Sequence, residues 1–316
     1  PACCQPFVEN VLLPPENFLR PTALLAALLL QATPYAADRI GEIGEIGAAI
    51  DAYNDLAAVS LPTPSGDDLG RIAAGETVIV RQRTPMDEGD GSSQDRIRVV
   101  GFQRVPRPRL LVWLATLDID AQHSKRLVEH LVELDDSGGS VWYQYLDTPW
   151  PVKNRHWLIR NTKSVSLTRT SGGRIWEHRW RLVTDGEQIA GNLLRSGQVI
   201  GLDERDGARA IYLGVNRGAW TMLTIDEDTT LVVAHTAAVM GGWIPESWVA
   251  RFVGRQLGGV LRNLVSRVEG IHERYTAHYP IFNGAGERIS PDAAVEERKR
   301  YDARRQAGAS EAGESQ

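Results

Sequence analysis

The chain has 316 residues, 42% hydrophobic and 24% charged, with a formal net charge of −5. That balance is ordinary for a folded globule of one large or two small domains, and it gives no electrostatic reason to expect a nucleic acid partner. The two cysteines, Cys3 and Cys4, adjoin at the N-terminus. No disulfide framework is therefore expected, and no thiol remains in the folded part for a zinc cluster, an iron–sulfur centre or a nucleophile.

Residues 1–37 read as an N-terminal extension with a secretory signal. Arg20 precedes an apolar run, Ala23–Leu30, and a small-residue end near Tyr35-Ala36-Ala37, which is the layout of an export signal. The run is too short to span a bilayer, and an ordinary Ala/Leu helix is the other reading. Export to the periplasm or outside the cell is the expectation that follows, with a cytoplasmic location if the run is not a signal. Residues 38–75 form an N-terminal helix and a linker. Ile40, Ile43, Ile46, Ile50, Tyr53 and Leu56 fall at helical spacing, whereas 61–75 is rich in Pro, Gly, Ser and Asp.

A domain over 76–279 follows. Glu76–Arg83 and Arg96–Val105 alternate as strands around a polar loop at Thr84–Asp95. The segment from Pro106 to Asp136 reads as short helices, with His123 and His130 seven apart on one helix face. A helical metal site needs i,i+3 or i,i+4 spacing, so a solvated face is the reading there, and no metal or other cofactor is expected.

Residues 141–162, VWYQYLDTPWPVKNRHWLIRNT, hold two strands, Val141–Leu146 and His156–Asn161, around a proline-bracketed Trp150. Neither proline donates to a ladder, so that tryptophan marks an edge or turn. Tyr143, Tyr145, Pro149, Pro151 and Arg155 resemble the P-x-P-x-x-x-R pattern of START (steroidogenic-acute-regulatory-protein-related lipid-transfer) domains, within the helix-grip proteins. His156 stands where that family carries an Asp after the arginine. The resemblance covers roughly residues 76–275. It implies an α+β helix-grip fold, a curved antiparallel sheet wrapped around a long C-terminal helix, with a space for an apolar ligand between them.

Further along, Ser164–Thr168 reads as strand and Ser171-Gly172-Gly173 as a hairpin turn. In Arg174–Val183, Trp176, His178, Trp180 and Leu182 share one face, while Glu177, Arg179 and Arg181 share the other. The first face reads equally as a pocket wall or as a sheet packed on a helix. Residues 184–208 read as loop with a short strand near Gln198–Leu202. Strands follow at Ala210–Val215, Trp220–Ile225 and Thr230–Met240, the last containing His235. From Pro245, Trp248, Val249, Phe252, Val253, Leu257, Leu261, Leu264 and Val268 repeat at i, i+3/i+4, the strongest helix in the chain. Residues 280–316 are charged and small, and read as a poorly packed tail.

The ligand-contacting residues expected from this reading are Tyr143, Tyr145, Trp176, His178, Trp180 and His235 on strands and Trp248 and Phe252 at the mouth. Arg155 matches the family's arginine, either anchoring a polar head or bridging strands. The implied function is binding, and transport between membranes or through the periplasm, of a lipid, sterol or other hydrophobic small molecule, with transient membrane contact. A second reading is an enzyme of the same fold, a cyclase, aromatase or hydrolase using His178 or His235 as base, and a third is an interaction module without a ligand cavity. No G-x-S-x-G elbow, H-E-x-x-H, P-loop or dinucleotide fingerprint occurs.

Overall fold

The strands in chain order are β1 (Val78–Asp87), β2 (Ser93–Val105), β3 (Leu127–Leu134), β4 (Ser140–Leu146), β5 (Arg155–Lys163), β6 (Ile175–Leu182), β7 (Ile211–Tyr212), β8 (Val215–Thr224) and β9 (Thr230–Val239). They form one sheet in the order β1-β2-β9-β8-β6-β5-β4-β3, antiparallel throughout this path, with β7 running parallel to β5. This is a computed structural model, and it describes residues 33–87, 93–119, 127–148, 150–242, 244–271, 281–290 and 292–314. The chain divides into two units, Pro1–Gly41 and Glu42–Gln316, and the sheet, the site and the helical residues from Glu42 onward belong to the second. The apolar run Ala23–Leu30 and His123 lie outside the described residues, and among those described no helix is long and apolar enough to cross a membrane.

Each face of the sheet is set by the strict alternation of strand side chains. On the inner face lie the long helix α7 (Glu246–Glu269) and the short helix α3 (Arg109–Ile119). The close approach of β2 to α7 depends on Gly101, where an added Cβ would stand 2.5 Å from Leu261 Cδ1. Trp113 of α3 is fully buried beside Met222, Val232 and Leu264, and a core closes around it. Opposite, on the outer face, α1 (Thr33–Leu56) sets Ile46, Ile50 and Tyr53 at helical spacing against Val100, Phe102 and Val233. An antiparallel sheet gripping a long helix is the START-like arrangement expected from the central motif.

Several elements differ from the sequence-based expectations. The linker contains a helix, α2 (Gly66–Ala73), capped by Ser65 Oγ accepting from the Asp68 N–H at 3.1 Å, with Ile72 buried. The polar loop expected at Thr84–Asp95 is instead strand at both ends, since β1 and β2 pair down to Asp87↔Ser93. Residues around His130 form β3, not a helix, because Leu127–Leu134 pairs with β4. The expected strand at Ser164–Thr168 is the helix α4 (Val165–Thr170), and Gly172 and Gly173, both at positive φ, turn from it into β6 instead of closing a hairpin. Residues 184–208 fold as α5 (Gly186–Arg195) and α6 (Glu204–Arg209), with no strand at Gln198–Leu202; Ala190, Leu193 and Leu194 bury against β4 and β5. Asn216-Arg217-Gly218 is strand within β8.

The tail expected at 280–316 is ordered where described. A two-strand ladder, β10 (Ile281–Phe282) with β11 (Arg288–Ile289), leads into α8 (Asp292–Glu314). Ile281, Phe282, Ala294 and Tyr301 are buried. The Trp113 indole donates to the Phe282 carbonyl at 2.9 Å, and the Tyr301 hydroxyl to the Pro106 carbonyl at 3.0 Å. Charge dominated the composition of this segment, but its few apolar residues are spaced to close the end of the core.

Candidate functional site

Along the inner face the packing changes character. At the α3 end it is solid: the rings of Trp176 and His178 stand edge-on to Trp113 at 5.5 Å and 5.2 Å. At the other end α7 stands off the sheet and leaves a cavity of about 310 Å³. Trp142, Ile159, Trp180 and Trp220 rise from the sheet, and Phe252, Val253, Leu257 and Val260 come down from α7. The polar groups are amides and one hydroxyl, those of Gln144, Asn161, Asn216, Gln256 and Thr236.

These polar groups are differently committed. Asn216 Oδ1 accepts from the Trp180 indole at 3.0 Å, which fixes that ring as a wall. Gln144 is held in a chain, donating to Glu129 and accepting from the Trp157 indole at 2.5 Å. Burial pushes the Glu129 carboxyl up to about 7, the Gln144 amide opposing the shift. Among the described residues the side chains of Asn161 and Gln256 make no intramolecular hydrogen bond, which leaves them to orient a bound molecule.

The structure sorts the nine expected contact residues. Trp180 and Phe252 line the cavity, and His235 borders it. The parity of β9 turns the His235 ring outward: it stands opposite Val100, an outer-face residue. Burial first, then the charges of Arg98 and Arg179, hold His235 down at about 3. Trp176 and His178 face inward but belong to the solid core. Burial, with a smaller push from Lys163, brings His178 to about 3, and its Nε2 has no partner among the described residues. Trp248, 61% exposed, sits one turn before Phe252 on α7 and does not line the cavity.

Tyr143 and Tyr145 point the other way, packing with Leu158, Ala190 and Leu193 beneath α5. Reading β4 one residue out of phase exchanged them for their neighbours Trp142 and Gln144, which do line the cavity. Arg155 is a strand clip. Its Nε donates to the Met240 carbonyl at 2.6 Å and Nη2 to the Gly241 carbonyl at 3.2 Å, while Nη1 takes the Lys153 carbonyl. That guanidinium ties the start of β5 to the end of β9 and contributes nothing to the cavity wall.

No Asp, Glu, Lys or Arg lines the cavity among the described residues, and none of them gives His178 or His235 a carboxylate hydrogen-bond partner. No group of three or more His, Cys, Asp or Glu able to hold a metal occurs among them either.

No protein-family profile matches the sequence, and no curated protein matches it. Solved structures do. Human STARD10 covers 71% of this chain and 87% of its own length at TM-score 0.46 and 9% identity. A STAR-related lipid transfer protein from Xanthomonas axonopodis covers 61% and 93% at TM-score 0.43 and 18% identity. The Zhui aromatase/cyclase from Streptomyces sp. R1128 covers 57% and 96% at TM-score 0.35 and 14% identity.

Proposed function

We propose that this protein binds, and carries between membranes, a hydrophobic small molecule held in the cavity between the sheet and α7. The observation that supports this reading most directly is the lining itself. Four aromatic and four aliphatic or branched walls surround a few neutral amides, without a fixed charge. Burying apolar ligand surface there gains about 25 cal/mol per Å², and neutral amides orient a hydroxyl or carbonyl without demanding an ionised one. A volume of about 310 Å³ sits at the lower end of small-molecule pockets. It favours a compact sterol-like or single-chain ligand over a lipid with two long chains.

Two exposed side chains on the first turns of α7, Trp248 and Phe252 at 61% and 54%, are spaced i, i+4 on one helix face. Phe252 also lines the cavity, so a membrane surface touching this pair is the entry side in this proposal. We propose further, from the apolar run Ala23–Leu30 in the sequence alone, that the carrier is exported, and fractionation of the producing cell tests it.

The decisive experiment is native mass spectrometry of the purified full chain, with solvent extraction and identification of what co-purifies. A bound apolar molecule is expected. Purified protein that is empty and takes up neither fluorescent sterols nor fluorescent fatty acids overturns the reading.

A further inference from the structure

A second pocket, of about 570 Å³, lies on the outer face of the sheet and has the opposite chemistry. Its polar lining includes Thr84, Arg98, Arg179, Arg181, Arg217 and His235. Strand register explains the crowding of charge. Arg181 stands directly opposite Arg217 on β8 and opposite Arg160 on β5, so three arginines fall in one row across adjacent strands. Like charges set opposite each other in a ladder destabilise it. Among the described residues Glu133 pairs with Arg160 at 3.3 Å, and Glu177 approaches Arg179 at 3.5 Å. Glu177 is meanwhile engaged by the hydroxyls of Tyr53, Ser164 and Thr221.

Arg98 is the clearest sign of a ligand. It is only 2% exposed, and its Nη2 donates to the Ser60 carbonyl and to Gln82 Oε1. Among the described residues its Nε and Nη1 are buried with no partner, and so is the hydroxyl of Thr84 in the same pocket. A buried guanidinium with two idle donors is costly unless something completes it. The planar fork of an arginine matches a phosphate or carboxylate edge with two parallel hydrogen bonds. Burial first, and then the charges of Arg98 and Arg179, keep the adjoining His235 neutral.

We propose that this outer-face pocket is a second ligand site, taking a multiply charged oxyanion of phosphate chemistry, with Arg98 and Thr84 at its base and Arg179 and Arg181 at its rim. The pocket is larger than a bare phosphate needs, and Val59, Pro85 and Ala237 give it an apolar side. A phosphate carried on a small organic body fits that combination. The site shares Trp180 and His235 with the inner cavity as a common wall, but its chemistry does not depend on what the cavity holds.

Titration calorimetry of the full chain with inorganic phosphate, glycerol 3-phosphate and dihexanoyl phosphatidic acid tests it. At least one of these is expected to bind tighter than about 1 mM, with affinity falling as salt is added. The double variant Arg179→Gln/Arg181→Gln changes two exposed side chains. It is expected to bind the same probe at least tenfold more weakly while taking up an apolar fluorescent dye as before. Binding of inorganic phosphate or glycerol 3-phosphate assigns the site to soluble phosphates; binding of the phosphatidic acid alone assigns it to a lipid headgroup. No binding by any probe, or a variant that binds as tightly as the parent, overturns the proposal.

Discussion

The Tyr53 hydroxyl donates to Glu177 Oε2 at 2.6 Å across 124 residues of sequence, and this bond ties α1 to the middle of the sheet. Glu177 is 2% exposed, and its carboxylate also accepts from Ser164 at 2.6 Å and Thr221 at 3.0 Å. Three hydroxyls thus stand in for the water that a buried carboxylate loses. Burial, followed by the charge of Glu177, raises the Tyr53 hydroxyl above its ordinary value, so it remains a donor. Tyr53→Phe is expected to cost about 1–3 kcal/mol, the range for removing one partner of a buried charged group. Urea denaturation measures it, and an unchanged midpoint would show the bond to be idle.

The cavity wall makes a sharper contrast. Trp180→Ala is expected to weaken an apolar fluorescent probe at least tenfold, about 1.4 kcal/mol, because the ring forms the wall between Asn216 and α7. Tyr143→Phe, on the opposite face, is expected to leave that affinity alone. Equal effects from both would mean the probe binds elsewhere.

Two glycines are expected to respond with opposite signs. Gly259 lies inside α7, and an added Cβ there meets nothing within 4 Å. Gly259→Ala should therefore stabilise by about 1 kcal/mol, the difference in helix propensity. At Gly101 the same methyl would meet Leu261 at 2.5 Å and Ile79 at 2.9 Å. Gly101→Ala should destabilise by about 1–3 kcal/mol through overpacking. Thermal melts of the two variants side by side check both.

His178 gives a pH dependence whose sign can be worked out. Its folded value, about 3, lies below the ordinary 6.5. Above pH 6.5 both states are neutral and it contributes nothing. As pH falls below 6.5 the unfolded chain takes up the proton first, so stability drops by about 1.4 kcal/mol per pH unit toward the folded value. Glu129 acts oppositely: raised to about 7 from 4.5, it favours the folded state below 4.5 and loses that as pH rises through 7. The His178 part is isolated by His178→Phe. The stability gap between variant and parent should widen in the variant's favour as pH drops from 6.5, and a gap constant with pH refutes it.

The fold was legible where the apolar pattern was long or alternating. Ile46, Ile50 and Tyr53 announced α1, the repeat from Val249 to Val268 announced α7, and Trp176-x-His178-x-Trp180 marked an inward face. The short helix α3 was legible, whereas α2, α4, α5 and α6 were missed because polar and charged residues, and glycine in three of them, outweighed brief apolar spacing. The pattern Asp203-Glu204-Arg205-Asp206 carried a usable signal, since it forms a capping box in the structure. The site was half legible for a geometric reason. β4 is apolar or aromatic at Val141, Trp142, Tyr143 and Tyr145 alike, because both of its faces are covered, and composition then gives no phase. Arg155 was visible as special, but its carbonyl partners Met240 and Gly241 lie 85 and 86 residues on, beyond any local pattern.

The bond from Trp113 to the Phe282 carbonyl spans 169 residues. A chain emerging from the ribosome in order completes its first strands and α3 long before β10 exists to cover them. Until then the indole and the residues around it have no lid, and the nascent protein presents its stickiest surface to the surroundings. Long-range closure of this kind slows folding and lengthens exposure to aggregation. Maturation therefore waits on β10, so premature termination anywhere before Phe282 should yield an insoluble product instead of a smaller working one.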